Sequence, residues 1–360
     1  MSTTTFTSSS PAALKVWAKK VFNDSVKNTL YGKLTGTSDR AVVQVKDDLS
    51  KGDGDRIRFQ LRSLPTGIGV QDDETLEGKE EGLDYRYFDI NLGEKRHAIK
   101  VDLNLSKQRT MFDVQQDAKD ALGEWIEEYL DTTFFEYMTG SGVGTAGASK
   151  YHPSGALGAN ALTAPAPDRI IYPGTATSKL TVAVTDTMSL AVLDKVAERL
   201  KRASPTMRKA SYDGKTCYVV IMSPEQVNDL RSNTSTGQWL DIQKALTQGN
   251  GDGLLFKEAL GMYRDMCLIE SVRVPIYLDY GAGSNIQAHR ALVLCAQAAV
   301  VAHGNGTDDK GRLKVVDRSF DYGKRYGVSA TLIWGMQKTV VNNQSDFGVF
   351  SVDTAAKPHS

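Results

Sequence analysis

Polar and apolar residues alternate along Arg56-Ile57-Arg58-Phe59-Gln60-Leu61, and again, less strictly, along Tyr85-Arg86-Tyr87-Phe88-Asp89-Ile90-Asn91-Leu92. A period of two is the pattern of a half-buried strand, with one face inward and one outward. Between the two runs lies Leu64 to Leu83, punctuated by glycines and densely charged. It is far longer than the roughly 2–5 residues that a hairpin turn needs. The pair predicts two strands carrying an extended loop that touches something beyond its own base. From about Ser106 to Thr139 the period changes to that of a helix, with Met111, Val114, Ala118, Leu122, Trp125, Tyr129 and Phe134 near one stripe and Gly140 as its stop. At about 1.5 Å per residue this amphipathic helix is roughly 50 Å long, enough to brace a fold from end to end.

Pro11 to Leu34 also reads as a helix, capped by Ser10, with Leu14, Trp17, Val21 and Val26 near one face. A lone helix ahead of the first strands is hard to place inside one domain. Residues 1–34 are therefore read as an arm on a neighbouring molecule, with docking on its own domain as the competing reading. After Gly140 a segment rich in Gly, Ala and Pro extends through Pro173. A helix is predicted from Asp186 to Ala203, opened by a Thr185/Asp186 cap and closed before Pro205, burying Leu190, Leu193, Val196, Ala197 and Leu200. Thr216 to Met222 is an apolar strand, and Ser223-Pro224 opens a further helix. Met266–Glu270, Arg290–Cys295 and Val328–Trp334 are further strands, so the fold class is α+β with mixed layers.

Composition narrows the classes. A length of 360 residues allows roughly two domains, and 41% apolar with 24% charged residues is ordinary for a folded globular chain. Basic and acidic residues balance at a net charge of zero, which removes any bulk attraction to nucleic acid or an anionic membrane. Cys217, Cys267 and Cys295 sit in apolar runs far apart, as buried reduced thiols of a cytosolic protein do. The first ten residues lack a signal peptide's basic and apolar regions, and no run of about 18 apolar residues could span a membrane. The Asn-x-Ser/Thr sequons at Asn104, Asn233, Asn305 and Asn343 then carry no weight.

Nothing in the chain assembles chemistry. Gly142-Val-Gly-Thr-Ala-Gly147 has the letters of a dinucleotide fingerprint, but follows a helix where that motif follows a strand. There is no phosphate-cradling loop and no Gly-x-Ser-x-Gly elbow, and the five histidines lack metal-ligand spacing. The acidic clusters Asp47-Asp48, Asp53–Asp55 and Asp72-Asp73-Glu74 lie beside glycine or lysine in turns, where solvated charge is normal. No catalytic, cofactor-binding or metal residue is assigned, and the expectation is a non-enzyme.

The layout resembles the major capsid proteins of tailed bacteriophages, which have the Johnson (HK-97-like) fold, in the branch found in large short-tailed phages. The residues that carry the resemblance, in order, are Ala12–Trp17, Lys51-Gly-Asp-Gly-Asp55 before Arg56–Phe59, and Leu76-Glu77-Gly78; then Gly261-Met-Tyr263 with Val274-Pro275, Ala291–Ala299, Phe320-Asp-Tyr-Gly323 and Asp346-Phe-Gly-Val-Phe350. It implies an amino-terminal arm (1–34), an extended loop (64–92) and a peripheral domain (35–63 and 93–186) with a spine helix (106–139). An axial domain (187–310) follows, and residues 311–360 return to the peripheral sheet and end in a tail. Copies would join through arm and loop: Trp17 in the arm; Ile68, Val70, Leu76 and Leu83 as apolar contacts; and Asp72, Asp73, Glu74, Glu77, Lys79, Glu80 and Glu81 selecting complementary charge.

The implied partners are further copies of the chain in hexamers and pentamers, a separate scaffolding protein, a portal protein and packaged double-stranded DNA held without sequence preference, with room for a decoration protein and no membrane. The implied location is the virion capsid, assembled in the host bacterial cytoplasm. Lys79 lies where some relatives form an isopeptide crosslink, but it lacks an acceptor context. Two alternatives stay open: a nanocompartment shell protein of the same fold, and an α/β enzyme using Gly142–Gly147 as a nucleotide loop.

Overall fold

The computed structural model describes residues 29–46, 54–62, 67–72, 74–82, 85–102, 114–143, 149–204, 206–212, 214–232, 259–304, 313–341 and 345–356. Trp17, Asp73, Leu83, the helix proposed before Thr29, residues 106–113 of the spine and most of the Gly142–Gly147 segment lie outside the described residues.

Thr29 corrects the first helix. Its backbone is extended, and its hydroxyl accepts a hydrogen bond from the Gly32 amide at 3.0 Å, so the helix α1 (Leu30–Leu34) starts afresh there and no helix runs unbroken from Pro11 to Leu34. Tyr31 and Leu34 are buried in the subunit's own core. The Tyr31 amide donates to Asp131 Oδ1 at 2.9 Å, and its ring packs on Phe134 and Trp334. Thr29, Tyr31 and Leu34 therefore belong to this subunit's interior.

The spine helix α2 (Val114–Thr139) ends at Gly140, as its sequence predicts. Gly140 takes φ +70°, its amide donates to the Glu136 carbonyl at 2.8 Å, and a Cβ there would collide with the backbone of Thr163 and Ala164. The helix is amphipathic only in its first half: from Tyr129 to Thr139 every residue is buried. The reason is that a sheet faces it from each of two sides. Thr133 pairs with His152 at 3.1 Å and Ser149 donates to Glu136 Oε2 at 2.6 Å, while Glu136 Oε1 is buried without a hydrogen-bond partner among the described residues.

One sheet has six strands. It contains β1 (Val43–Lys46), β4 (Gly93–Asp102), β11 (Ala299–His303), β12 (Leu313–Phe320) and the long β13 (Arg325–Lys338), with the short Thr35–Gly36 at its edge. Tyr326, Val328, Ala330, Leu332 and Trp334, every second residue of β13, point inward into the cluster that contains α2. The other sheet has eight strands, ordered β7 (Ala259–Tyr263), β8 (Met266–Glu270), β6 (Lys215–Met222), β10 (Ile286–Leu294), β14 (Val349–Ala355) and β5 (Ile170–Ile171). Ala210–Tyr212 and β9 (Ile276–Tyr280) pair with β6 and β10 respectively. One face of β6 and β10 (Val219, Ile221, Leu292, Leu294) meets α2, while the other (Val220, Met222, Ala291, Val293) is covered by α3 (Leu190–Arg202) and α4 (Pro224–Ser232). A strand buried on both faces reads as a continuous apolar run.

Strand pairing crosses the segments named above, and one helix starts later than its sequence predicts. β11, inside the 187–310 segment, pairs with β13 and β1 in the six-stranded sheet. β14, inside the returning 311–360 segment, pairs with β10 over seven residues from Ala355 to Val349. The chain thus crosses between the sheets at residues 295–298, where periodicity marks nothing because the flanking runs Ala291–Leu294 and Ala299–Ala302 are both apolar, and it is back in the eight-stranded sheet from Val349. The helix α3 starts at a Ser189 cap, since Asp186 is taken up in a turn and accepts from the Ala183 amide at 2.8 Å. The strands Met266–Glu270 and Thr216–Met222, the helix after Ser223 and the burial of the three cysteines are found as expected.

The core makes a pH prediction. Burial, helped by Lys95, lowers the His152 imidazole from 6.5 to about 4. The unfolded chain therefore binds the extra proton first as pH falls, and folded stability drops between pH 6.5 and 4. Burial also lowers His289, which acts with the same sign, whereas the Asp131 and Glu136 carboxyls are pushed up by burial and act oppositely. Urea midpoints of the unassembled subunit should fall over this window, and His152→Gln should flatten the fall. Equal slopes for both proteins would refute the assignment to His152.

Candidate assembly surfaces

Strands β2 (Arg56–Arg62) and β3 (Tyr85–Asn91) form a hairpin in register from Arg56↔Asn91 to Arg62↔Tyr85. Its base is locked. Ile57, Phe59 and Ile90 pack with Val300 and Ala302 of β11, and Lys46 Nζ lies 4.5 Å from the centre of the Phe59 ring. Asn160 clamps the Asn91 backbone, accepting from its amide at 3.0 Å and donating to its carbonyl at 2.6 Å. The Asn160 carbonyl in turn accepts from Tyr137 Oη of α2 at 2.8 Å, which ties hairpin to spine. At Gly335 of β13 a Cβ would collide with the Asn91 carbonyl oxygen, so only glycine lets the hairpin sit this close. On the hairpin's outer face Asp89 takes both Arg58 nitrogens at 2.7 and 2.8 Å, which lowers its carboxyl through that hydrogen-bonded pair.

The tip stands away from this base. Among its described residues none is buried: Ile68 is fully exposed (104%), Leu76 is 56% exposed and Val70 is half-buried. Its charges partly fold it. Lys79 pairs with Glu74 at 2.7 Å, Glu80 accepts from the Gly78 amide at 2.7 Å, and Glu81 accepts from the Gly67 amide across the loop at 2.6 Å. The structure thus brings Glu74 to Lys79, ties Glu80 and Glu81 to separate backbone amides, and leaves Ile68, Leu76 and Glu77 exposed to solvent. Ile68 and Leu76 are thus exposed apolar side chains on a loop whose base strands are anchored to the body.

Sequence reasoning assigned no role to a second protrusion, the β12–β13 turn. Asp321, Tyr322 and Gly323 all have positive φ, Lys324 closes the turn on the Asp321 carbonyl, and Tyr322 is fully exposed (110%). Phe320 lies over Gly327, with Lys100 and Arg318 4.9 and 5.5 Å from its ring centre. The signal was present in Asp-Tyr-Gly between two alternating runs, a hairpin-turn composition. Among the described residues there is no cluster of His, Cys, Asp or Glu able to hold a metal, and no helix is long and apolar enough to cross a membrane.

Two sheets, a central spine helix and an outreaching hairpin match known proteins over the whole chain. Residues 5–358 match the phage capsid protein family model. The chain belongs to that family. The capsid structure of Ralstonia phage GP4 is 33% identical, with a TM-score of 0.81 over 100% of both chains. The major capsid protein of Pseudomonas phage KPP25 is 24% identical over 95% of this chain and 94% of that protein. The cyanophage Pam1 capsid, 20% identical over 93% of this chain and 94% of that one, shares the fold with a TM-score of 0.72. This capsid protein is a structural component of the virion, a major capsid protein with the HK-97-like α+β fold, and it self-assembles into the shell of capsomers. Its working surfaces are the faces that copies present to one another.

Proposed function

We propose that the capsid protein closes its shell chiefly through the hairpin tip, residues 67–82, laid onto a neighbouring copy, with the arm preceding Thr29 and its Trp17 as a second bridge. The observation that carries this reading is the fully exposed Ile68, together with the exposed Leu76 of the same loop, on a hairpin whose base is held by packing and by the Asn160 clamp. Apolar contact supplies the burial. Asp72, Glu74, Glu77, Glu80 and Glu81 around Lys79 give the tip a negative character that selects its seat. Leu83 and Val70 extend the same apolar set. Many weak contacts repeated over a closed array give a stable shell without a catalytic residue, so the role is structural and not enzymatic.

In this reading α2 and the six-stranded sheet make the peripheral domain, and the eight-stranded sheet with α3 and α4 makes the axial domain about the capsomer centre. The shell is icosahedral, built of hexamers and pentamers in the host bacterial cytoplasm with a separate scaffolding protein and a portal protein. It encloses double-stranded DNA that it contacts without sequence preference, as a chain of zero net charge can.

Reversing Glu77, Glu80 and Glu81 together to lysine tests the electrostatic part. Assembly followed by light scattering should slow by about tenfold at low salt and recover toward wild type near 1 M, where the screening length shrinks to about 3 Å. Assembly at the wild-type rate at every salt concentration would show that apolar contact alone seats the tip.

A further inference from the structure

The polar stripe of α3 and the turn Pro167–Arg169 enclose a cleft of about 440 Å³, remote in sequence from the hairpin. Lys195, Glu198, Arg199 and Arg202 recur at helical spacing on one side of α3, opposite the buried Leu193, Val196 and Leu200. Asp168 and Arg169 line the other wall, and Phe350 completes it. Four cations against two carboxylates leave the cleft positive.

Arg169 is the unusual member. Its side chain is only 2% exposed, its Nη2 donates to the Ser204 carbonyl at 2.9 Å, and its guanidinium carbon lies 4.9 Å from the centre of the Phe350 ring. Its Nε is 3.3 Å from Asp168 Oδ2 but makes no hydrogen bond, so a buried donor is left over. Buried donors without acceptors are rare and costly, and a ligand oxygen is one way to satisfy them. Two of the other cations are committed: Lys195 to the carbonyls of Tyr172 and Gly174 at 2.8 and 3.1 Å, and Arg202 to Glu198 at 3.1 Å. Arg199 makes no ion pair among the described residues.

We propose that this cleft is an oxyanion-binding site, holding one carboxylate or phosphate group between Arg169 and Arg199. Planar guanidinium groups match the paired oxygens of such anions. The volume is toward the lower end of the roughly 300–1,000 Å³ of small-molecule pockets. Asp168 and Glu198 repel a second negative charge, so a compact anion fits and a run of backbone phosphates does not. The anion is either free in solution or the carboxylate of a second copy in the shell.

The test is calorimetric titration of inorganic phosphate into unassembled subunits at constant ionic strength, with chloride as control. Saturable binding of one phosphate per subunit is expected, weakened at least tenfold in Arg199→Ala and partly kept in Arg199→Lys, at exposed positions that leave the fold intact. Arg169→Lys, checked for folding by circular dichroism, should weaken it as well. Absence of saturable binding, or equal binding by wild type and Arg199→Ala, overturns the proposal. Repeating the titration on closed shells separates the sources: continued binding identifies a free anion, and loss of binding, with density joining Arg199 to a neighbour's carboxylate, identifies the second copy.

Discussion

Deleting residues 66–83 is expected to leave a subunit that folds but does not close shells. The tip contributes no buried residue among those described, whereas the groups that hold the hairpin to the body, Ile57, Phe59, Ile90 and the Asn160–Asn91 clamp, all lie at its base. Surface changes of this kind alter stability by about 0.5 kcal/mol or less, and a shorter loop costs less closure entropy. Circular dichroism and urea midpoints should therefore match the parent, while the yield of closed particles in sedimentation falls at least tenfold. A deletion variant that forms normal closed shells would remove the tip from the mechanism.

The second large effect lies in the interior. Asp353 of β14 binds Arg290 of β10 through two nitrogens at 2.7 Å each and accepts from Tyr280 Oη of β9 at 2.5 Å. Arg290 also reaches the last turn of α2 at the Thr139 carbonyl, 3.4 Å away, and stacks near Tyr277 at 4.6 Å. Burial opposes the charge on Arg290, but Asp353 and then the two tyrosines hold it above its ordinary value, so the guanidinium stays charged. Removing one partner strands the other. Asp353→Ala should cost about 3–5 kcal/mol in chemical unfolding of the subunit, and pairing it with Arg290→Met should restore part of that. A cost below about 1 kcal/mol would show that water reaches the network and that it does not tie the last long strand to the spine.

Much of this architecture was legible in the chain. The hairpin strands were readable because one face is buried on β11 and the other meets water, so alternation survives in Arg56–Leu61. The start of α4 was readable because Ser223 caps it through its own side chain, accepting from the Gln226 amide at 3.2 Å. Strands near the molecular centre were harder. β14 and β11 are buried on both faces, lose their period, and carry no mark of the sheet they join. The second half of α2 hid its environment for the same reason, since Thr132, Thr133 and Glu136 look like a solvent face but are buried, each with a hydrogen bond to a distant segment.

The extended loop was legible as one too long for its strands, but its geometry was not. The internal pairing of Glu74 with Lys79 and of Glu81 with the Gly67 amide spans up to 14 positions and has no sequence signature. Arg169 escaped notice entirely. Its burial depends on Phe350 and Ser204, which only the folded chain brings to it.

A side-chain-resolution electron cryomicroscopy map of the assembled shell tests the central claim most directly. The account predicts the density of residues 67–82 lying on an adjacent copy, with Ile68 and Leu76 covered and Glu77 within hydrogen-bonding reach of that copy's cationic or amide groups. A tip that projects into solvent, or folds back on its own subunit in a closed shell, would contradict it.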